Sequence, residues 1–483
     1  MNRYSFTLVA AIVSSLFGCA VGPDYKQPAT PESAGTPFLG ASAPQFSQTG
    51  DVPAQWWHLY DDPVVNGLVS DALRANTDLR VAVAHLEKAR ALRAGAQSEQ
   101  LPQTTLGSSS TYGQTADIDT LPGAPRRTWR LDEGLTVSYE VDLFGRVRRD
   151  VEAARADEAA AAADADAVRV TVVSDTLKAY ASAVGYAQQL AVAKQTVDLL
   201  NRSIQITQAR VDAGRSQRLD VIRLTVIRDQ RAAQVPSLGA AHQAALFRLA
   251  MLTGRTPAEL PPALASVSTL PQLNQPIPVG DGRALLARRP DVREAERRLA
   301  ANTARIGVET AGFYPSISLG AQGGSVSTDF ANAFTGGALR WLVGPLISWN
   351  FPNIEGTRAK VAAARGESKA SLAAFDGAVL TALQETETAL TVYQHLVLSQ
   401  ASITAEKDGA LKAANAVQAR QRDGSADFLE VLEAQRTLAD VLAENAKSQS
   451  QIALAQIDVF KALGGGWQQS SETVSSAFEP SRQ

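Results

Sequence analysis

Reactive side chains are sparse in this 483-residue chain, which carries four histidines and a single cysteine. His58, His85, His242 and His395 are scattered, and none falls in an H-E-x-x-H or Cys/His metal spacing, so each reads as a surface or packed imidazole. Gly464-Gly465-Gly466 follows a helical pattern and precedes no strand-to-helix phosphate loop, which marks it as a stop after the last helix. Asn201-Arg202-Ser203 fits a glycosylation sequon but lies inside a helical pattern. No catalytic constellation emerges, and neither a cofactor nor a metal is expected. The charges that do cluster sit at two glycine turns: Arg210, Asp212, Arg215 and Arg218 at one, Arg420, Arg422, Asp423 and Asp427 at the other. Such groups read either as solvated helix ends or, if the helices form a tube, as opposite charges that hold its end shut. On the second reading Arg210, Asp212, Arg420 and Asp423 are gate candidates.

The cysteine has a chemistry of its own. Arg3 is followed by the short apolar run Tyr4 to Phe17 and then Gly18-Cys19, the order of a secretory signal, and the run is too short to span a bilayer. Residues 1–18 are therefore predicted to be a signal peptide. Leu16-Phe17-Gly18-Cys19 resembles a bacterial lipobox, in which the thiol takes a diacylglyceryl group and the amine freed by cleavage is acylated, an anchor firmer than one acyl chain gives. A plain signal peptide with a chance cysteine is the alternative, but a lone cysteine has no intrachain disulfide to make. Ala20 and Val21 follow, not Asp, which by resemblance to lipoprotein sorting in Gram-negative bacteria favours the outer membrane.

The elements that would position the turns are written twice. Ala209-Arg-Val-Asp-Ala-Gly214 through Leu219-Asp-Val221 overlays Ala419-Arg-Gln-Arg-Asp-Gly424 through Leu429-Glu-Val431 at a shift of 210; Asp78-Leu-Arg80 and Pro102 overlay Asp291-Val-Arg293 and Pro315 at a shift of 213. A period this long is not that of a solenoid, whose repeats run about 20–50 residues, and suggests duplication of a half-domain. After a Pro-, Gly-, Ser- and Thr-rich segment read as an extended tether (19–62), the first repeat covers 63–254, with helices about 68–99, 146–213 and 217–253 and strands about 101–113 and 129–144. A connector (255–280) leads to the second repeat (281–463), with helices about 283–312, 356–423 and 427–463 and strands about 315–324 and 338–351; residues 464–483 form a tail.

The strands alternate. Leu131, Leu135, Val137, Tyr139, Val141 and Leu143 take one face against Asp132, Gly134, Thr136, Ser138, Glu140 and Asp142, and the second copy sets Trp341, Val343, Ile347, Trp349 and Phe351 against Arg340, Gly344, Ser348 and Asn350. Apolar-out, polar-in alternation fits a transmembrane barrel and, strand by strand, fits an ordinary sheet with one wet face equally well. Long flanking helices and the lack of any other sheet favour the barrel, with Trp129 and Trp341 as interfacial aromatics. Four strands cannot close a barrel, since known ones begin at about eight, so oligomerisation is required; three chains would give twelve, though arithmetic alone does not select three.

The two longest helices would each reach on the order of 100 Å at about 1.5 Å per residue. Ala179, Ala183, Tyr186, Leu190, Ala193, Val197, Leu200, Ile204, Thr207 and Val211, and again Leu372, Phe375, Val379, Leu383, Thr386, Leu390, Tyr393 and Val397, step by four and three, a coiled-coil seam. Pro236 should kink the first returning helix. A net charge of -3 gives no reason to expect nucleic acid. No stretch after residue 20 approaches the roughly 20 apolar residues of a membrane helix, so any crossing must use strands.

With these segments assembled, the chain resembles the outer membrane factor family, the TolC-like exit ducts, and within it the NodT-type efflux lipoproteins. The resemblance rests on Cys19-Ala-Val-Gly-Pro-Asp-Tyr25, Trp56-Trp57 with Asp61-Asp62-Pro63, Tyr139-Glu-Val-Asp-Leu-Phe-Gly145, Arg288-Arg-Pro-Asp-Val-Arg-Glu-Ala-Glu296, Phe313-Tyr-Pro-Ser316 and Leu463-Gly-Gly-Gly-Trp467. It implies a mainly α chain with a membrane β-barrel portion, and a homotrimer whose twelve-stranded barrel continues into a twelve-helix periplasmic α-barrel. It also implies a periplasmic adaptor and an inner-membrane transporter of the resistance-nodulation-division type as partners. Adaptor docking would map onto Gly214, Arg215, Ser216 and Leu219 and onto Gly424, Ser425 and Leu429. The function implied is a passive exit duct opened at its periplasmic tip by the adaptor. A type I protein secretion duct and a lipid-anchored helical scaffold without a pore are the alternatives.

Overall fold

The computed structural model describes residues 20–466, apart from 48, 49, 51, 121, 124, 263, 265, 266, 268, 269, 272, 274, 334 and 424. The signal sequence, Cys19, Gly424 and residues 467–483 of the tail thus lie outside the described residues. A two-residue strand, β1 (Phe46–Ser47), comes first. The first repeat follows as α1 (Pro63–Ala75), α2 (Thr77–Ser98), β2 (Gln103–Gln114), β3 (Arg127–Glu140), α3 (Arg146–Asp212), α4 (Arg218–Ala232) and α5 (Gln234–Leu252). After β4 (Ile277–Pro278), the second runs as α6 (Gly282–Arg288), α7 (Pro290–Ala311), β5 (Ser316–Ser327), β6 (Leu339–Ser348), α8 (Glu355–Arg422) and α9 (Phe428–Ala462).

The chain forms two compact units, each drawing on both repeats. Among the described residues, one takes 20–28, 85–162 and 294–376, the other the remainder. The first holds an antiparallel sheet in the order β2-β3-β5-β6, in which Gly107, Gly134, Gly324 and Arg340 form one cross-strand row. Its helical stretches are joined by polar contacts, Arg93 to Glu158 at 2.7 Å and Asn302 to Ser371 at 2.6 Å.

The second unit has the larger apolar core. Trp56 stacks on Phe460 at 4.4 Å between centroids, with Trp57, Tyr60, Leu177, Tyr180, Leu249 and Leu390 around them. Arg288 and Arg289 donate to the carbonyls of Leu463 and Ala462 at 2.8 and 3.0 Å, satisfying orphan acceptors at the end of α9, where a helix dipole favours cations. The Gly464 stop expected there is present, with φ near 67° and Gly465 donating back to Phe460 at 3.2 Å.

Several boundaries differ from the sequence reading, each for a local reason. Helix 68–99 is divided at Asn76, which leaves the helix with ψ 131° while its side chain accepts from Asp78 and Leu79 at 2.9 and 3.1 Å, capping the next one. Helix 283–312 is divided at Arg289, because Pro290 disfavours the α region for the residue before it. Helix 217–253 breaks at Ala233: a Pro236 ring collides with the carbonyl of the residue four back, and that residue, Ala232, is the last of α4. Val141 and Leu143 lie beyond β3, since Asp142 turns to accept from the amides of Val147 and Arg148 at 3.2 and 2.9 Å and caps α3. Trp349 and Phe351 lie beyond β6, stacked on each other at 4.8 Å ahead of Pro352. The segment read as a tether is only partly one: Phe38, Phe46, Val52 and Trp56 are core residues, and β1 pairs in parallel with β4.

Candidate functional site

The strand faces sort cleanly once register is known, because side chains alternate across a sheet. One face carries Leu106 and Tyr112, Trp129, Leu135 and Tyr139, Ile317 and Leu319, then Leu339, Trp341, Val343 and Ile347. Trp341 is 81% exposed and Val343 and Ile347 are 68% exposed, so their own chain leaves most of each uncovered, whereas Leu131 on the same face is buried. Leu339 to Ile347 spans about 27 Å at about 3.4 Å per residue, close to the roughly 25 Å apolar band of an outer-membrane barrel. Aromatics mark both ends: Tyr112 meets Trp129 at 5.4 Å beside the β2–β3 loop, and Phe144 stacks on Tyr314 at 4.5 Å at the opposite end. Two charges break the apolar face: Glu133, which accepts from Ser108 at 2.9 Å, and Arg127 at its loop end, which donates to Gln114 at 2.9 Å.

The other face carries Thr105, Ser109 and Thr111, Arg130, Asp132, Thr136 and Ser138, Ser318 and Gln322, and Arg340, with Val326, Leu342 and Leu346 as its apolar exceptions. Arg340 reaches across β5 to Asp132, and Arg130 stands 3.6 Å from the same carboxylate. Gly324 is demanded at the crossing: a Cβ there would sit 2.1 Å from the carbonyl oxygen of Glu133. At the base, Arg146 pairs with Glu140 at 2.8 Å and Glu99 at 3.1 Å, and the bond to Glu140 is the main cause of its raised pKa. Sequence reading placed Asp132 and Arg340 on the polar face but did not join them; the glycine row was the available signal. Among the described residues, β2 and β6 each keep an unpaired edge.

The two helical turns repeat one geometry. Arg215 N donates to Arg210 O at 2.8 Å with Gly214 at φ 69°, and Ser425 N donates to Arg420 O at 2.9 Å. Of the gate candidates, Arg210 donates to the Gln421 carbonyl at 2.9 Å and so ties the end of α3 to α8. Asp212 accepts from Gln208 on its own helix at 2.8 Å, and Arg420 is used within its own turn, donating to Ser425 O at 3.0 Å and pairing with Glu430 at 3.1 Å. Asp423 is exposed beside them. These four residues therefore share one end of the second unit, but no Arg–Asp pair forms among them.

Of the docking residues, Arg215 and Ser425 are exposed and Ser216 is half-buried. Leu219 and Leu429 are 47% and 51% exposed at matching positions. Ile222 and Val226 extend the apolar strip along α4, whereas the position matching Val226 is Arg436 in the second copy. Sequence reading missed the braces behind the turns: Arg231 to Asp440, Gln435 to Ser203 at 2.9 Å and Arg228 to Asn201 at 3.2 Å.

The residues after Cys19 are seated. Val21 N donates to Phe144 O at 3.0 Å, Arg149 bonds Val21 O at 3.3 Å and Asp24 at 2.6 Å, and Tyr25 donates to Glu296 at 2.8 Å. Gly307 makes room, since a Cβ there would come within 2.9 Å of the Val21 oxygen.

Comparison with known proteins gives a consistent picture. The description "outer membrane efflux protein" matches the chain twice, over residues 68–255 and 282–465, once per repeat. Outer membrane protein OprJ of Pseudomonas aeruginosa is 30% identical over 482 residues, covering 98% of each chain. Nodulation protein T of Rhizobium leguminosarum bv. trifolii is 28% identical over 96% of this chain and 98% of its own. The toluene efflux pump outer membrane protein TtgF of Pseudomonas putida is 29% identical over 95% and 96%. Among solved structures, the outer-membrane channel OprN superposes with a TM-score of 0.87 at 34% identity, covering 93% of this chain and 100% of that one. The open state of the Neisseria gonorrhoeae MtrE outer membrane channel gives 0.82 at 26%, covering 94% and 100%.

Proposed function

The chain belongs to the outer membrane efflux protein family, and from that premise we propose that three copies close into one exit duct, twelve strands in the outer membrane and twelve helices in the periplasm. The protein is an outer membrane efflux duct component, and its family is one of transport ducts rather than enzymes. The observation that carries the reading is the four-stranded sheet with one apolar face and two unpaired edges. Unpaired strand edges are not tolerated in hydrocarbon, so the sheet must be completed by other copies. Two copies would give eight strands, whose interior side chains fill; three leave a lumen.

In this reading Cys19 carries the lipid anchor and the seated segment Ala20 to Tyr25 leads from it into the fold. Cargo is loaded by an inner-membrane transporter of the resistance-nodulation-division type and handed on through a periplasmic adaptor. The adaptor docks at Gly214, Arg215, Ser216 and Leu219 and at Gly424, Ser425 and Leu429. Efflux relatives such as the toluene pump component favour small apolar compounds over secreted protein. Deleting the chain and measuring accumulation of drugs and solvents beside levels of secreted protein tests this. Compounds should accumulate with secretion intact; the reverse would assign the duct to protein secretion.

The tip is held shut by bonds between helix ends, with Arg210 to Gln421 the bond that must part first; Asp212, Arg420 and Asp423 supply the surrounding charge. Single-channel conductance in planar bilayers should rise when Arg210 is replaced by Ala and should change when Asp212 and Asp423 are. Unchanged conductance in both variants would remove the charge lock from the account.

A further inference from the structure

The polar face of the sheet has a basic centre that transport as such does not require. Arg130, Asp132 and Arg340 meet there, two guanidiniums to one carboxylate, a surplus of one positive charge per chain. The arrangement is built into the backbone. Arg340 starts on β6 and its partner lies on β3, so the side chain must cross β5, where Gly324 stands opposite Arg340 and Gly134 opposite Gly324. A Cβ at Gly134 would lie 4.0 Å from the Arg340 guanidinium, and one at Gly324 would strike backbone. The glycine row is a trough along which the arginine lies flat.

Within the strands no other residue of this face before Glu140 carries a charge; the nearest uncompensated carboxylate among the described residues, Asp329, lies in the loop after β5 and accepts from Asn332. Glu133 points to the apolar face and is bonded to Ser108; Arg127 shares that face with Gln114; Asp117 pairs with Arg126 in the loop. Glu140, the next carboxylate of β3, lies eight residues on, about 27 Å away at about 3.4 Å per residue, and is paired with Arg146. At about 10 mM salt that separation falls within one Debye length, so Glu140 is set aside there by its ion pair with Arg146 rather than by screening.

We propose that this cluster forms a basic ring in the exit barrel that favours cargo bearing carboxylate, sulfonate or phosphate groups over cationic cargo. The inference rests on the three-chain duct, which places three such clusters around one lumen with a summed surplus of three charges. A ring of that size acts across a wide lumen only where screening is weak. Its bias should be severalfold at about 10 mM salt, where the Debye length is about 30 Å, and should fade near 0.15 M, where it is about 8 Å.

The test labels intact cells from outside. Thr136→Cys puts a thiol on the same face beyond the cluster, and Ile118→Cys, in a loop residue that is 92% exposed, serves as reference. Each is treated with a sulfonate-bearing and a trimethylammonium-bearing methanethiosulfonate. Relative to the reference, the anionic reagent should modify Thr136→Cys severalfold faster at low salt. Arg130→Gln with Arg340→Gln should abolish that advantage, and Asp132→Asn should enlarge it. Equal rates, a cationic advantage, or an anionic advantage that survives loss of both arginines would overturn the ring. If Ile118→Cys is labelled and neither reagent reaches Thr136→Cys, the polar face lines no lumen, and the duct reading falls with the proposal.

Discussion

Tyr60 is the least comfortable side chain in the second unit. Its hydroxyl is buried without a hydrogen-bond partner, and burial first, then Tyr393, raises its pKa well above the ordinary value of about 10. Tyr180 and Tyr25 shift the same way, chiefly through burial, each donating to a carboxylate. A folded-state pKa above the unfolded one contributes stability that is whole below the unfolded pKa and is lost as pH climbs through the folded value. Thermal melts should therefore fall off above about pH 10, and Tyr60→Phe should soften that limb while leaving pH 7 stability equal or higher, since an unsatisfied polar atom is removed. A melt in which Tyr60→Phe costs stability at pH 7 would show the hydroxyl to be bonded in solution. Gly324→Ala makes the opposite case: its methyl would meet Glu133 and Gly134 backbone, so the oligomer's SDS dissociation temperature should drop by the equivalent of about 1–3 kcal/mol or more. Such residues were only half legible beforehand. The alternation put Asp132 and Arg340 on one face, but their meeting depends on register between strands roughly 200 residues apart in sequence, which periodicity within one strand does not contain.

At the scale of elements, the sequence carried the long helices and the paired strands, because sustained period and alternation are local signals. The breaks were the illegible part, for they depend on what packs alongside. Asn76 ends α1 and caps α2 while its amide donates to Leu252 at 3.1 Å, a residue 176 positions away. Pro236 was legible as a kink, and the structure adds its consequence. The α4 segment buries only Leu224, whereas the matching stretch of α9, residues 428–442, buries Val431, Ala439 and Val441. The first returning helix is therefore the looser of the two at the tip, held by Arg231 to Asp440. Amide exchange in Arg218–Ala232 should be faster than in the matching stretch of α9. Arg231→Met should speed it further, and Pro236→Ala, which restores a donor and removes a ring clash, should slow it. Equal exchange in the two returns would remove the asymmetry from any account of opening.

At the scale of the whole molecule, duplication accounts for most of the architecture: each repeat supplies two strands, one long helix and one return, and the family match falls on the same two halves. What the chain cannot do alone is close its sheet. β2 and β6 stand at the edges, and a lone four-stranded sheet with Trp341, Val343 and Ile347 uncovered would be unstable in water and incomplete in lipid. Closure by three copies is the central claim, and it is open to direct measurement by pairing the two edges covalently in the outer membrane. Cysteines at Ser109 or Thr111 on β2 combined with cysteines at Leu342 or Gly344 on β6 sample the registers that would bring Cα atoms within about 4.4–6.8 Å. Oxidation followed by non-reducing electrophoresis should give bands of one, two and three chains for at least one combination, and nothing larger. A ladder that stops at two chains or runs past three, or single chains in every combination, would contradict it.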